Sequence, residues 1–278
     1  MSPRVRDLLT QRLDTLRYEP TDKRIRATLG EETVVDSTRA ILVWEPLRIV
    51  PSYAVPLEDI DADVTGAAAG SQAPAGDPTA GAPRLGGQKV LDPTIPFATH
   101  TTDGEPLAVR SRGGDREAAA FRPSDPALDG YAILDFRAFD AWYEEDERNV
   151  AHPRDPFHRI DILHSSRHVR VERDGEILAE SSRPHVLFEP PLPVRYYLPA
   201  EDVRTDLLRP SDTQTFCAYK GQASYWSLAA EPDVAWTYRE PLREAAEITG
   251  RIAFFNERVD IVVDGERQER PTTPWSRR

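Results

Sequence analysis

The residues best suited to chemistry lie in one short stretch, TFCAYKGQASYWS, at positions 215–227. It holds Cys217, the only cysteine of the chain, three positions before Lys220, one of only three lysines. A nearby ammonium group favours the reactive thiolate, so Cys217 is a candidate nucleophile. On a strand, positions i and i+3 point to opposite faces, so the two side chains meet only if a turn near Gly221 intervenes. Covalent catalysis also needs a base, and no histidine is close in sequence, so an inert buried cysteine is the alternative.

Large aromatic residues are concentrated around this stretch. They are Tyr196, Tyr197, Tyr219, Tyr225, Trp226, Trp236 and Tyr238. Aromatic walls with a few polar groups are typical of small-ligand sites, although the same residues also build cores. The rarity of lysine favours a contact between Lys220 and an anionic or carbonyl ligand group, with a plain surface lysine as the alternative. We predict a ligand pocket formed by Lys220, Tyr225, Trp226 and Trp236, with Tyr196 and Cys217 beside them.

Two Glu–Pro dipeptides end predicted strands, and an arginine precedes each glutamate by six positions. The pairs are Arg39 with Glu45 and Arg183 with Glu189. Six positions along a strand restore the same face, so we predict a structural ion pair in each case. A ligand-binding pair is the alternative, and Arg183 and Glu189 therefore join the predicted binding residues. General acid–base catalysis would require a carboxyl group with a raised pKa in an apolar pocket, which this pattern does not indicate.

The segment HPRDPFHRID places four candidate metal ligands at intervals of three: His152, Asp155, His158 and Asp161. Its prolines favour an extended or polyproline conformation with about three residues per turn, so these side chains share one edge. Neighbouring members are then about 9 Å apart, too far for all four to meet one ion. We predict no metal site, and we expect the segment to strap two domains together, anchored by Arg154 and Asp155.

An internal repeat predicts how these residues are positioned. RIRATLGEETVVDSTRAILVWEPLRI, from position 24, resembles HVRVERDGEILAESSRPHVLFEPPLP, from position 168. The ungapped alignment pairs Ser37 with Ser181, and it also pairs the two Glu–Pro dipeptides. After a slip of one residue, YAVPLEDI from position 53 aligns with YYLPAEDV from position 196. The chain is therefore predicted to contain two copies of one domain.

The continuation of the repeat places different residues at the candidate site of the first copy. LDPTIPFATHTTDGEPLAVR, from position 91, aligns with LRPSDTQTFCAYKGQASYWS, from position 208. This register puts His100 opposite Cys217 and Asp103 opposite Lys220, so we expect the scaffold to tolerate either pair. Farther along, the alignment pairs Phe121 with Trp236 and Pro126 with Pro241. The first copy is expected to have a poorer pocket because it has fewer of the aromatic residues.

Each copy is predicted to be mainly β. Short runs of alternating or β-branched residues recur at regular spacing, and Asp–Gly turns follow Arg173 and Val263. LPAEDVRTDLL and PLREAAEITG carry the signals of short helices. This pattern predicts two small β-barrel or sandwich domains with a few short helices. Residues 62–89, mostly Ala, Gly, Pro, Ser and Thr, are predicted as a disordered insert in a surface loop, with a lid as the alternative.

Composition argues against several classes of function. The net charge of −12 and the pI of about 5.1 oppose binding to nucleic acid and to anionic membranes. A single cysteine excludes an intrachain disulfide and a cysteine-rich zinc site, and it fits a cytoplasmic location. No apolar run is long enough to span a membrane, and SPRVRDLLTQRLDTL lacks the apolar core of a signal peptide.

Several stretches resemble the bacterial domain-of-unknown-function family 427 (DUF427). They are SSRHVRVERDGEILAESSRPHVLFE, RYYLPAEDVR, PSDTQTFCAYKGQASYWS and AWTYREPL, together with HPRDPFHRIDI, which is similar to the linker of two-domain members. The resemblance covers positions 24 to about 264 apart from the insert, closely in the second copy and distantly in the first. It implies small, mostly β domains similar to tent-like zinc-binding domains that have lost their metal. It implies no established activity, although the family has carried a nucleotidyltransferase label.

These observations predict five regions. They are an N-terminal helix at 1–22, a divergent β domain at 23–143 with the insert at 62–89, a proline-rich linker at 144–166, a second β domain at 167–270 and a flexible tail at 271–278. The preferred function is small-molecule binding by the second domain, without a cofactor. The alternatives are a transferase or hydrolase acting on a nucleotide-like or carbonyl substrate, and a structural module that forms a homodimer through a sheet edge.

Overall fold

The computed structural model describes residues 2, 11–68, 82, 84–85, 88–273 and 276. The chain divides into two compact units, Met1–Asp155 and Pro156–Arg278. Antiparallel strands dominate the described structure, so the prediction of a mainly β protein is confirmed. Each sheet described has two edge strands, and none closes into a barrel. In the described part of the chain, no helix is long and apolar enough to cross a membrane.

The first unit is built on two sheets. Its described strands are β1 (Arg17–Pro20), β2 (Ile25–Leu29), β3 (Glu32–Ser37), β4 (Ile41–Trp44), β5 (Ser52–Pro56), β6 (Asp63–Gly66), β7 (Arg84–Leu85), β8 (Gln88–Lys89), β9 (Gly104–Ser111), β10 (Gly114–Pro123), β11 (Tyr131–Leu134), β12 (Ala141–Glu144) and β13 (Glu147–Asn149). One sheet has the order β1-β4-β5-β11-β10-β9-β6 and the other β13-β12-β2-β3, while β7 pairs only with β8. Buried residues of both main sheets, among them Leu42 and Trp142, form one apolar core.

The second unit has three described sheets. Its strands are β14 (Asp161–His164), β15 (Val169–Arg173), β16 (Glu176–Ser181), β17 (His185–Phe188), β18 (Arg195–Tyr197), β19 (Arg209–Cys217), β20 (Gly221–Leu228), β21 (Glu231–Pro241), β22 (Ile252–Phe254), β23 (Asp260–Val263) and β24 (Glu266–Arg267). The sheet orders are β14-β17-β18, β16-β15-β23-β24 and β19-β20-β21-β22. A bridge between Leu198 and Ile252 joins the first of these sheets to the third.

The described helices are all short 3₁₀ segments. They are Leu57–Asp59, Pro126–Leu128, Phe136–Ala138, Ala200–Asp202, Thr205–Leu207 and Arg243–Ile248. The last three lie in LPAEDVRTDLL and PLREAAEITG, so short helices are confirmed there. The predicted Asp–Gly turns are also confirmed, because the Asp and the Gly of both turns have positive φ.

The first hairpin of each unit has the same register. Ile25 of β2 pairs with Ser37 of β3, and Val169 of β15 pairs with Ser181 of β16. Both hairpins shift register at the equivalent point, three residues into β2 and into β15. The ungapped sequence alignment therefore matches the pairing of the strands in this part of each unit.

The strand order corrects the next part of the alignment. β6 pairs with β9, which begins at Gly104, and β19 pairs with β20, which begins at Gly221. β6 is therefore the counterpart of β19, and the predicted match of residues 91–100 with β19 is wrong. The long connection from β6 to β9, which contains most of the predicted insert, occupies the position of the short 218–220 turn. The error arose because the insert separates β6 from its partner in sequence.

Strand pairing also shifts the downstream matches. Gly104 pairs with Pro123, and Gly221 pairs with Pro241. The counterpart of Pro241 is therefore Pro123 and not Pro126. Phe121 lies opposite Pro106, two positions after Gly104, and Tyr238 lies opposite Ala223, two positions after Gly221. Phe121 therefore corresponds to Tyr238 and not to Trp236.

Several predicted boundaries are wrong. The predicted insert begins too early, since β6 lies in the main sheet and β7 pairs with β8, while residues 69–81 lie outside the described part. The predicted linker is too long, because β13 belongs to a sheet of the first unit and β14 to one of the second. Thr273 of the predicted flexible tail is buried and donates to Glu257 Oε1 at 2.7 Å. Residues 1 and 3–10 of the predicted N-terminal helix lie outside the described part. Residues 11–15 form turns and a bend, and Arg17–Pro20 form β1, so the helix prediction is wrong for these residues.

Candidate functional site

A buried ion pair lies at the end of β17. Glu189 follows this strand, and Lys220 lies in the turn between β19 and β20. Lys220 Nζ donates to Glu189 Oε2 at 2.5 Å, and each side chain is only 9% exposed. His158 Nε2 lies 3.5 Å from the other carboxylate oxygen. The three residues form one charged cluster inside the second unit.

Electrostatics keep both members of this pair charged. Burial alone would raise the pKa of Glu189, but the charge of Lys220 and the hydrogen bonds from His158 and Lys220 lower it to about 2. Burial would lower the pKa of Lys220, yet interactions with Cys217, Glu189 and Tyr197 raise it above its ordinary value. Lys220 therefore has its charge balanced by the protein, and the predicted contact with a ligand is not required to explain it.

The turn predicted at Gly221 is present and brings Cys217 near Lys220. Gly221 has φ of +90°, and it pairs with Cys217 across the hairpin. Cys217 is partly buried and free of any disulfide. Among the described residues, no hydrogen bond joins Cys217 to a histidine, since His158 reaches Glu189 instead. The arrangement places a cation near Cys217, but the described residues supply no histidine base for covalent catalysis there.

The predicted aromatic wall divides between two packed clusters. Trp236 packs with Tyr197 and Phe255, and its Nε1 donates to Tyr197 Oη at 3.0 Å. Tyr225 packs against the same cluster. Trp226 and Tyr196 pack instead against the other core cluster of this unit. Adjacent positions on a strand face opposite sides, which explains why Tyr225 and Trp226 separate.

This division favours the alternative in which the aromatic residues build the core. Tyr197 and Tyr238 are nearly fully buried, and burial raises the pKa of both phenols, so they stay protonated. The Nε1 of Trp226 is buried and makes no hydrogen bond to the described residues. Three aromatic residues predicted to form one pocket with Lys220 thus divide between two core clusters, Tyr225 and Trp236 in one and Trp226 in the other.

The predicted ion pairs between Arg39 and Glu45 and between Arg183 and Glu189 are wrong. Arg183 binds two acidic residues of the 3₁₀ helix Ala200–Asp202, with Nη2 at 2.9 Å from Glu201 and 3.1 Å from Asp202. The prediction failed because a bend at positions 182–184 ends β16 before β17 begins, so the two residues are not on one strand.

The same polar corner recurs in the first unit. Ser181 donates to Asp202 at 2.6 Å and accepts from the backbone N–H of Arg183 at 3.2 Å. In the first unit, Ser37 donates to Asp59 at 2.6 Å and accepts from the backbone N–H of Arg39 at 3.1 Å. Arg39 in turn binds Glu58 and Asp59. The corner is therefore a structural feature of each unit, in addition to any role in binding.

A shallow, open depression, called the cleft below, lies beside this corner in the second unit. Its volume is about 310 Å³, and its lining residues are His168, Glu180, Ser181, Ser182, Arg183 and Asp202. Arg183 is more than half exposed, and its Nη1 makes no hydrogen bond to the described residues. Ser182 is exposed and its hydroxyl makes no hydrogen bond to them either. Two residues that line this shallow depression, Ser182 and the predicted binding residue Arg183, therefore carry donors with no partner among the described residues.

In the first unit, the residues that correspond to His168 and Glu180 form a stronger ion pair. Arg24 and Asp36, the counterparts of His168 and Glu180, form a two-bond pair with Nε–Oδ1 at 2.7 Å and Nη2–Oδ2 at 2.5 Å. In the second unit, His168 Nε2 and Glu180 Oε1 lie 3.0 Å apart and make a single contact. A planar guanidinium engages a carboxylate at two points, whereas an imidazole engages it at one, so Glu180 keeps more capacity to accept hydrogen bonds.

Sequence reasoning missed a second cluster of polar residues. His164, His185 and Glu247 can each offer one metal-ligand atom, and these atoms lie within 4.8 Å of one another. The candidate ligands of the segment HPRDPFHRID do not form such a cluster, since His158 contacts Glu189 and Asp161 begins β14. The two histidines are 21 positions apart in sequence, so only the register of β14 on β17 reveals that they are neighbours.

The comparisons with known proteins concern the second unit. A family model described as a domain of unknown function, DUF427, matches residues 161–265. The match runs from the first residue of β14 to the turn after β23. It contains the cleft, the His164–His185–Glu247 cluster and the Lys220–Glu189 pair, but not His158. It does not extend into the first unit. A comparison with curated proteins found no match to the chain.

Proposed function

We propose that the second unit is a small-molecule-binding domain whose ligand occupies the cleft beside Arg183. The observation that carries the proposal is a concave surface with unused donors on Arg183 and Ser182. Asp202 and Glu201 hold one edge of the guanidinium, which fixes the direction of the free Nη1. A positioned donor of this kind gives orientation to a ligand at little entropic cost.

The charges around the cleft suggest the chemistry of the ligand. Arg183 and Arg251 supply positive charge, and Glu180, Glu201 and Asp202 supply negative charge, with His168 on Glu180. Neither sign dominates enough to favour a strongly charged ligand. A neutral or zwitterionic polar compound fits better, with an oxygen accepting from Arg183 Nη1 and a hydroxyl or amine donating to Glu180.

The second candidate binding region, the tandem arrangement, the location and the enzyme alternative are separate proposals. Ligand contact by Lys220 and Cys217 has less support, because the charge of Lys220 is balanced by Glu189 within the protein. A tandem of two DUF427-like domains is supported by the shared hairpin register and polar corner. A cytoplasmic location agrees with the free cysteine. The transferase or hydrolase alternative would need a base near Cys217.

Ligand-observed NMR with mixtures of sugars, nucleosides and amino acids would test the binding proposal. We expect at least one such compound to bind the full chain with a Kd below about 1 mM. Arg183→Ala should weaken this binding by about 10-fold or more, and Ser182→Ala by about 2-fold to 10-fold. Arg39→Ala is the matched control, because it removes the same structural corner from the first unit.

Two results would contradict the proposal. One is that no compound in these classes binds at millimolar concentration. The other is that a compound binds but Arg183→Ala and Ser182→Ala retain full affinity. Because Ser182 is exposed and forms no described hydrogen bond, its substitution should leave folding intact, so lost binding in Ser182→Ala would not reflect unfolding.

A further inference from the structure

Two histidines lie directly opposite each other on neighbouring strands of the second unit. His164 is the last residue of β14 and pairs with His185, the first residue of β17. Directly opposed residues on antiparallel strands point to the same face, with Cβ atoms about 5 Å apart. The two rings are accordingly in contact, with His185 Nε2 at 2.9 Å from His164 Nδ1. The register of the sheet therefore presents two imidazoles side by side.

A carboxylate completes the group from another element. Glu247 lies in the 3₁₀ helix Arg243–Ile248, and its Oε2 is 3.6 Å from His164 Nε2. Ligand atoms bound to one zinc ion at about 2.0–2.2 Å lie about 3.3–3.6 Å from one another. His164 faces His185 with Nδ1 and Glu247 with Nε2, and only one of these nitrogens can bind the ion. With one donor atom from each residue, the three atoms lie within 4.8 Å of one another, so side-chain rotation must bring them to about 3.3–3.6 Å.

The backbone of the same helix fixes the tautomer of His185. Its Nδ1 lies 2.7 Å from the backbone carbonyl oxygen of Glu247, which can only accept, so Nδ1 carries the proton. The lone pair of Nε2 then faces His164. Metal-ligating histidines typically have this arrangement, with one ring nitrogen donating to a carbonyl and the other left to bind the ion.

Exposure of the other two residues leaves the group open to solvent. The side chains of His164 and Glu247 are 78% and 54% exposed, whereas His185 is buried. An ion could therefore enter from solvent and keep water in its remaining positions. Arg251 acts electrostatically on His185 and would oppose a bound cation, so we expect moderate rather than extreme affinity.

We propose that His164, His185 and Glu247 form a binding site for one divalent transition-metal ion, with two imidazole ligands and one carboxylate. This donor set suits zinc and its neighbours and does not suit calcium or magnesium, which prefer oxygen ligands alone. The site is separate from the residues of the proposed ligand cleft, so the two proposals stand or fall independently.

Zinc titration of the full chain without an affinity tag, in competition with a coloured chelator, would test the site. We expect one Zn²⁺ per chain with a Kd below about 10 µM. His164→Ala and Glu247→Gln should each weaken binding by at least about 10-fold. His168→Ala is the matched control and should bind as the wild type does, because His168 pairs with one carboxylate and has no second histidine beside it.

Three outcomes would overturn the proposal. They are no binding at about 100 µM Zn²⁺, equal affinity in wild type, His164→Ala and Glu247→Gln, or an equal loss in His168→Ala. The first of these would mean that the cluster is only a hydrogen-bonded network in which His164 bridges His185 and Glu247. Both substituted side chains are exposed, so a folded variant is expected, and circular dichroism would verify this.

Discussion

Lys220 Nζ lies 2.5 Å from Glu189 Oε2 with both side chains buried. The pair ties the β19–β20 turn to the end of β17. The first unit makes an equivalent contact with different residues, since His100 Nδ1 lies 3.0 Å from Glu45 Oε2. A buried glutamate after the strand is thus common to both units, and its partner differs.

Removing one member of the buried pair should be costly. Lys220→Met leaves Glu189 charged in a buried position, and we expect a loss of about 3–5 kcal/mol in the free energy of unfolding. The double variant Glu189→Gln, Lys220→Met should lose less, because it leaves no buried charge unpaired. Urea denaturation measures both values.

Lys23→Met offers a matched control for this experiment. Lys23 also pairs with a buried carboxylate, that of Glu144, but its own side chain is 45% exposed. We expect a cost below about 1 kcal/mol. If Lys23→Met and Lys220→Met lower the free energy of unfolding equally, burial of the Lys220–Glu189 pair contributes nothing to the cost of breaking it.

Stability should fall in acid because of Glu189. Its pKa in the folded protein is about 2, below the ordinary value of 4.5. The stabilisation is therefore fully present above about pH 4.5 and is lost as the pH falls toward 2. The shift corresponds to about 3 kcal/mol. Unfolding measured between pH 2 and 6 should show this dependence in the wild type but not in Glu189→Gln, and identical pH profiles would contradict the assignment.

The sequence allowed some features to be predicted because they depend on local chemistry. The Asp–Gly turns and the β2–β3 and β15–β16 hairpins follow from turn preferences and alternation, and both agree with the structure. The turn at Gly221 was likewise predictable, because glycine has no Cβ and adopts positive φ without strain.

Features that depend on pairing between distant segments were not predictable. The polar corner needs Arg183 to reach the 3₁₀ helix Ala200–Asp202, and nothing local to Arg183 specifies that partner. The match of β6 with β19 was hidden by the insert. The division of Tyr225 from Trp226 could have been foreseen from strand alternation, but which face meets which core depends on the sheets that pack there.

Gly221→Ala should destabilise the turn that carries Lys220. The φ of +90° is strained for any other residue, and an added Cβ would lie 3.3 Å from the backbone nitrogen of Leu242. We expect a cost of about 1–3 kcal/mol by thermal unfolding. Gly66→Ala in β6 is the control, since a Cβ there meets nothing within 4 Å, and its effect should be within about 0.5 kcal/mol. If Gly221→Ala leaves the stability unchanged, the turn accommodates the added Cβ without strain and the prediction is wrong.

The C-terminal segment should contribute to stability through Thr273. Its hydroxyl donates to Glu257, which also binds Arg195 through two hydrogen bonds of 2.7 and 2.8 Å. Thr273→Val removes a hydrogen bond to a buried charge and should cost about 1.5–3 kcal/mol. Thr272→Val alters an exposed neighbour and should have little effect. If the two variants unfold at the same urea concentration, Thr273 has no stabilising role.

Backbone amide chemical shifts of the labelled protein, recorded while a compound found by screening is added, test the central claim most directly. We expect saturable shifts at Ser181, Ser182, Arg183 and Asp202, with no comparable change at the first-unit corner around Arg39. Saturable shifts confined to Cys217, Lys220 and Trp226, with the cleft unaffected, would contradict it.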